Sequence, residues 1–160
     1  LGGKILVTDY VLAVDPGKAT GVALFSYQTG SEPVLEWSKE VEADEFAEVI
    51  RGVLWAPEKN QHLTVVCERF IINAQTVKNS QAPFSLEQIG ILKQCLLDSG
   101  RPMDDIFFQS PADAKAMFDN PKLKKLGYWH VGGAGHALDA IRHGLLKLVK
   151  TGWKPINLLN

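Results

Sequence analysis

The stretch VLAVDPGKATGVALF, residues 11–25, constrains this chain more than any other. Val11-Leu12-Ala13-Val14 is an unbroken apolar run, and Gly21-Val22-Ala23-Leu24-Phe25 resumes it after a turn. A strand with one face in water alternates apolar and polar residues, whereas an unbroken run needs apolar cover on both faces. Leu63-Thr64-Val65-Val66-Cys67 reads the same way. Strands covered on both sides call for a sheet layered between helices, an α/β architecture. A chain of 160 residues is long enough to close one such core. Two of the runs end oddly: Val14 is followed by Asp15 and a Pro16-Gly17 turn, and Cys67 by Glu68.

Residues 10–15, 20–27 and 33–41 predict three strands in an antiparallel meander. Phe46, Val49, Ile50, Val53 and Leu54 then fall on one helical stripe. After the strand ending at Glu68, Ser85 with Gln88 reads as a capping box opening a helix to about Leu97, with Gly100 as its stop. Ile106-Phe107-Phe108 predicts a short strand. Ser110-Pro111 with Asp113 supplies an N-cap, a first-turn proline and a first-turn acid for another helix. A last helix runs from about Ala134 to Lys150, leaving residues 151–160 as a tail. The expectation is a single domain over residues 1–160, with a mixed central sheet and helices on both faces.

The net charge of −1 conceals a segregation. Residues 32–48 carry seven acids against Lys39 alone, residues 69–86 carry Arg69 and Lys78 and no acid, and residues 115–125 carry four lysines and one acid. A polyanion would be met by the second and third segments, although a charge run by itself is most often a solvated face. Cys67 and Cys95 lack metal-type spacing and fit a reducing compartment, so a cytoplasmic location is expected. No apolar run has the length of a membrane span, and no secretory signal pattern opens the sequence.

If the strands ending in Asp15 and Glu68 are neighbours, two carboxylates lie side by side, an arrangement that repels itself unless a cation sits between them. On the last helix His136 and Asp139 stand at i and i+3, on one face, with His143 one turn further on. Each feature alone has a plain structural reading: a first loop residue, a surface ion pair.

In their order along the chain they form a pattern. VDPGKATG (14–21), VVCERF (65–70), SPADAK (110–115) and GHALDAIRHGL (135–145) resemble the RuvC family of Holliday junction resolvases, within the RNase H-like superfamily, over about residues 10–150. KLGYW ahead of GHALDAIRH is most similar to the bacteriophage branch. The family usually shows four carboxylates; here the third in chain order is His136, a variation some members share. The resemblance implies an RNase H-like fold and two Mg²⁺ ions held by Asp15, Glu68, His136 and Asp139, with Asp15 bridging. A histidine ligand tilts tolerance toward Mn²⁺. The implied reaction is hydrolysis of branched DNA by paired phosphodiester cuts. Arg69, Lys78, Lys122, Lys124 and Lys125 become candidate phosphate contacts. Phe70 is a candidate to stack on or wedge between bases, or else a core residue. Tyr128 and Trp129 read as packing residues.

Two matched cuts call for a two-fold homodimer. On the helix from Ser85 to Leu97, Leu86, Ile89, Leu96 and Leu97 are assigned to the core. Gln88, Ile91, Leu92 and Cys95 are assigned to the dimer contact, with Gly90 allowing close approach. Three other readings stay open. Asp15-Pro16-Gly17 and Thr20-Gly21 loosely match an actin-like or sugar-kinase-like ATPase, although such proteins have two lobes and no use for His-x-x-Asp. A non-catalytic nucleic-acid-binding module, or a nuclease acting on forks, flaps or RNA–DNA hybrids, would share the fold.

Overall fold

The computed structural model describes residues 3, 5–78 and 82–158. The meander forms as expected: β1 (Asp9–Asp15), β2 (Ala19–Tyr27) and β3 (Val34–Glu42) pair antiparallel in sequence. α1 (Phe46–Leu54) and a short α2 (Pro57–Asn60) carry the chain over the sheet to β4 (Leu63–Glu68), which lies parallel to β1. Next come α3 (Ala74–Val77), α4 (Ala82–Asp98) and β5 (Phe107–Gln109), parallel to β4. The chain closes with α5 (Pro111–Met117), α6 (Asn120–Leu126), α7 (His136–Lys150) and a 3₁₀ turn at Ile156–Leu158. Among the described residues the sheet is five-stranded, in the order β3-β2-β1-β4-β5, with β1 at its centre.

Side-chain parity splits the core in two. Leu12 and Val14 of β1, Val22 and Leu24 of β2, and Val65 and Cys67 of β4 pack with α1 and α4. Val11 and Ala13, Ala23 and Phe25, and Val66 pack with α5, α6 and α7 on the other face. This is why the strands read as unbroken apolar runs. Asp15 shares the parity of Val11 and Ala13, and Glu68 that of Val66, so both acids fall on the α7 face. That face carries the small residues Ala13, Ala23 and Gly21 beside Val11, Phe25 and Val66, and α7 lies close on it. A side chain at Gly144 would meet the Phe25 ring at 2.5 Å, and one at Gly21 would meet the His136 carbonyl oxygen at 1.9 Å.

Several expectations are corrected. Ser85 and Gln88 are not a capping box, because α4 begins at Ala82 and both lie inside it, buried. Ser85 Oγ instead donates to the Pro16 carbonyl at 2.9 Å, tying α4 to the turn after β1. The division of α4 into a core face and a contact face is met only in part: Leu96 is buried in the core and Ile89 packs against it, as expected. Leu92 and Cys95 are sealed in the chain's own core, Gln88 is 1% exposed, and Ile91 is half-buried against the same cluster. Leu86 and Leu97, expected in the core, are 48% and 50% exposed. The proposed contact Gln88–Ile91–Leu92–Cys95 is therefore interior. Ile106 lies just before β5, not in it, and α7 starts at His136.

The Ser110 cap is present, accepting from Ala112 N at 3.2 Å. α6 was unforeseen although its signals are in the sequence. Asp119 caps Lys122 N at 3.0 Å, and Gly127 ends the helix at φ +82°. Trp153, in the segment read as a tail, is buried and stacks on Phe118 at 6.2 Å. Residues 159 and 160 of that segment lie outside the described residues. No described helix is long and apolar enough to cross a membrane.

Candidate active site

One transverse row at the end of β1 organises the site. Glu40 pairs with Gly21, Gly21 with Asp15, and Glu68 with Gln109. Asp15 and Glu68 follow directly on the paired residues Val14 and Cys67. The row thus runs Glu40–Gly21–Asp15–Glu68–Gln109 across all five strands, and α7 crosses it. At one end the His136 N–H donates to Glu40 Oε1 at 2.9 Å, and the Ala134 N–H to Oε2 at 3.1 Å. In the middle His136 Nδ1 is 2.9 Å from Asp15 Oδ2. At the far end His143 Nε2 is 2.9 Å from Glu68 Oε2, and its Nδ1 is 2.9 Å from Gln109 Oε1.

The Pro16-Gly17 turn is rigid. Thr20 Oγ1 donates to the Gly17 carbonyl at 3.0 Å, and Ser85 holds Pro16. Asp15, Glu68, His136 and Asp139 all face one pocket of about 450 Å³, bounded also by Pro16, Gly17, Arg69, Phe70 and Lys115. Asp139, one turn into α7, is held by Arg142 (2.6 Å) and Lys115 (3.6 Å). Arg142 also donates to the Phe118 carbonyl at 2.8 Å and bonds Asn120, so it is locked in place.

The electrostatics follow from this crowding. Burial pushes the Asp15 carboxyl above its ordinary value. The bond from His136 opposes that shift, and the charges of Glu68 and Asp139 add to it. His136 is raised, chiefly by its bond to Asp15. Burial acts to raise Glu40, but the N–H groups of Ala134, His136 and Ala137 hold it below the usual range, with help from His136. An anion at the start of α7 also complements the helix dipole. Cys67 is fully buried, and burial, with the charges of Asp15 and Glu68, pushes its thiol well up, away from the reactive thiolate.

Three carboxylates and an imidazole on one pocket wall are an oxygen-rich donor set of the kind hard divalent cations take. Burial raises Asp15 most, and the repulsion from Glu68 and Asp139 that adds to it is what a cation would relieve. As a donor set the residues fit such an ion. In the conformation described, each carboxylate is turned to its own protein partner, and among the described residues no three His, Cys, Asp or Glu groups close on one point.

The structure therefore brings together all four expected ligands, with Arg69 and Phe70. It does not bring the other expected DNA contacts to the pocket. Lys78 is exposed at the end of α3. Lys122 Nζ caps the C-terminal carbonyls of α5, at 3.1 Å from Met117 O. Lys124 lies over the Trp129 ring at 4.9 Å, and Lys125 is exposed on the same helix. Sequence reasoning passed over Glu40, Gln109, Lys115 and Arg142. Arg142 was readable, at i+3 from Asp139, and Lys115 stands in the SPADAK motif. Glu40 is one acid among seven in its segment, and nothing local singles it out.

A mixed sheet in this order, with an antiparallel three-stranded start, two parallel strands beyond it and helices on both faces, is the RNase H-like fold. Among solved structures the chain is similar to Thermus thermophilus RuvC in complex with Holliday junction substrate. The TM-score is 0.62, over 90% of this chain and 96% of that one. A second Thermus thermophilus RuvC structure superposes with TM-score 0.63, over 89% and 96%. Sequence identity is 17% in both, so the likeness is one of fold. No family model matches the chain, and no curated protein matches it.

Proposed function

We propose that this chain is a metal-dependent, structure-specific DNA endonuclease that resolves four-way junctions by paired phosphodiester cuts. The observation that carries this is the meeting of Asp15, Glu68, His136 and Asp139 on one pocket, brought from β1, β4 and α7. It is supported by the likeness of fold to a protein seen in complex with a Holliday junction. Placement in the bacteriophage branch rests on KLGYW and GHALDAIRH alone.

In this reading the four residues would hold divalent cations, two Mg²⁺ with Mn²⁺ able to replace them. Such ions would supply Lewis-acid activation and charge neutralisation for phosphodiester hydrolysis. Asp15, at the end of the central strand, would be the ligand these ions share. Lys115 and Arg69, exposed at the pocket margin, contact backbone phosphates on either side of the cut. Phe70, half-buried two residues after Glu68, is followed by exposed Ile71 and Ile72, an apolar projection suited to bases unstacked at a branch. Lys124 and Lys125 extend the phosphate track on α6. Two cuts need two sites, so a two-fold dimer is part of the proposal. The uncovered face of α4, with Leu86, Gly90 and Leu97, replaces the interior residues as its candidate contact.

The test is cleavage of labelled four-way junction, fork, flap, RNA–DNA hybrid and linear duplex, with Mg²⁺ and with chelator. Symmetric paired nicks on the junction, lost with chelator while binding persists, are expected. Preference for the hybrid would replace this reading with that of a different nuclease. Binding without any cleavage would leave a nucleic-acid-binding module.

A further inference from the structure

His143 follows His136 by two turns of α7 and has no exposed surface. Both ring nitrogens meet polar groups at 2.9 Å, Nε2 at Glu68 Oε2 and Nδ1 at the Gln109 side-chain amide. Yet His143 does not border the pocket that Glu68 faces. It stands behind Glu68 and cannot itself reach a group bound in front of it. Glu68, as a carboxylate, only accepts, so the proton in their contact is on Nε2. Among the described residues the Gln109 amide nitrogen has no hydrogen-bond partner. With the amide turned over, that nitrogen would donate to Nδ1 and leave Nε2–H aimed at Glu68. Gln109 in turn is fixed by the β4–β5 ladder, where it is the register partner of Glu68 itself. Packing alone would be served by an apolar side chain here, beside Ile141 and Leu145 on a buried helix. The arrangement instead directs a hydrogen bond to one oxygen of one pocket carboxylate.

We propose that His143, held by Gln109, is a positioning residue for Glu68. It ties down Oε2 and leaves Oε1 to the pocket, so that Glu68 presents one oxygen in one orientation. This rests on the reading of the pocket as a divalent-cation nuclease site, where partners standing behind the ligands typically carry about 10–100-fold in metal affinity or activity.

Long-range ¹H–¹⁵N spectra of the metal-free protein test the hydrogen bond without any cleavage. A His143 ring protonated at Nε2, whose signal moves in Glu68→Ala and not in Asp139→Asn, is expected. A ring protonated only at Nδ1, or one indifferent to Glu68→Ala, overturns the proposal even if the wild type resolves junctions. A wild type that cuts no substrate defeats the nuclease reading and leaves this measurement standing.

The second arm compares His143→Leu with His143→Gln, whose amide nitrogen can take the place of Nε2. For His143→Leu, kcat on junctions should fall about 10–100-fold, and the Kd for Mn²⁺ by calorimetry should rise about tenfold. KM should change less than about twofold. His143→Gln should recover kcat to within about threefold, and Gln109→Met should fall between the two. Wild-type kcat and Mn²⁺ affinity in His143→Leu would overturn the proposal, as would a folded His143→Gln no better than His143→Leu. If His143→Leu does not fold, unchanged kcat and Mn²⁺ affinity in Gln109→Met overturns it.

Discussion

On the side of α1 and α4 the sheet presents Leu12, Val14, Val22, Leu24, Val65 and Cys67, all nearly inaccessible, to a helix surface of Leu92, Cys95 and Leu96. On the side of α7 it presents Val11, Phe25 and Val66 but also the small Ala13 and Ala23, with Gly21 at the margin, and then a row of polar groups. Large side chains keep a helix at arm's length, and such a face contributes stability by area and close packing. Small ones let the backbone of α7 touch the sheet, so the His136 N–H reaches Glu40 and its carbonyl lies against Gly21. One face is built for burial alone, and the other combines burial with positioning. Both come from the same strands, read at alternate residues.

The largest effect should come from the positioning face. Asp15→Asn keeps the shape of the residue and removes a charge from the pocket. Cleavage should fall by more than about 10²-fold, while junction binding holds or tightens, since less negative charge then faces phosphate. A variant cutting near the wild-type rate in Mg²⁺ would remove Asp15 from the site. On the other face, Leu92→Ala should cost about 2–5 kcal/mol in denaturant unfolding and leave kcat per folded molecule unchanged. A selective loss of kcat there would show that the two faces are not independent.

Gly21→Ala sharpens the contrast, because it adds one methyl group where α7 touches the sheet. The new carbon would sit 1.9 Å from the His136 carbonyl oxygen. Stability should drop by about 1–3 kcal/mol, and cleavage with it, as His136 is pushed from Asp15. The control is Gly52→Ala on the exposed side of α1, where no described residue lies within 4 Å. That change should be neutral or stabilise by up to about 1 kcal/mol.

The smallest effect is set by pH. The Tyr128 hydroxyl donates to the Pro33 carbonyl at 2.6 Å, and burial, with Glu32 nearby, pushes the phenol from 10 up to about 12. Between those values the folded protein keeps a proton that the unfolded chain gives up. Stability is therefore lost as pH rises through that window. Discounted for solvent screening, the loss is on the order of 1 kcal/mol. Melting curves from pH 9 to about pH 11.5 should show this slope in the wild type and not in Tyr128→Phe. Parallel slopes would mean the phenol is not held as described.

Alternation and run length in the linear sequence were enough for the sheet. Unbroken apolar runs at residues 11–14, 21–25 and 63–67 specify strands covered on both faces. An acid directly after two of them is visible because it interrupts a run. The same logic failed on α4. Leu86, Ile89, Ile91, Leu92, Cys95, Leu96 and Leu97 surround the helix, so its period favours no face strongly. The choice fell to whichever residues could meet Leu12 and Val14. Ser85 and Gln88 have capping-box spacing, yet α4 begins upstream and buries both. A local signal competes with packing and loses where the packing is worth more.

What the sequence by itself determined is therefore the layered class of the fold, the ends of β1 and β4, and the His-x-x-Asp pair at the start of α7. Each depends on residues near one another in the chain. What only the tertiary structure decided is which residues complete the row. Glu40, Gln109 and His143 acquire their roles from strand register and from the close approach of α7. Those relations join positions separated by tens to about a hundred residues, and a hydrogen bond of 2.9 Å depends on distance in space, not on separation along the chain.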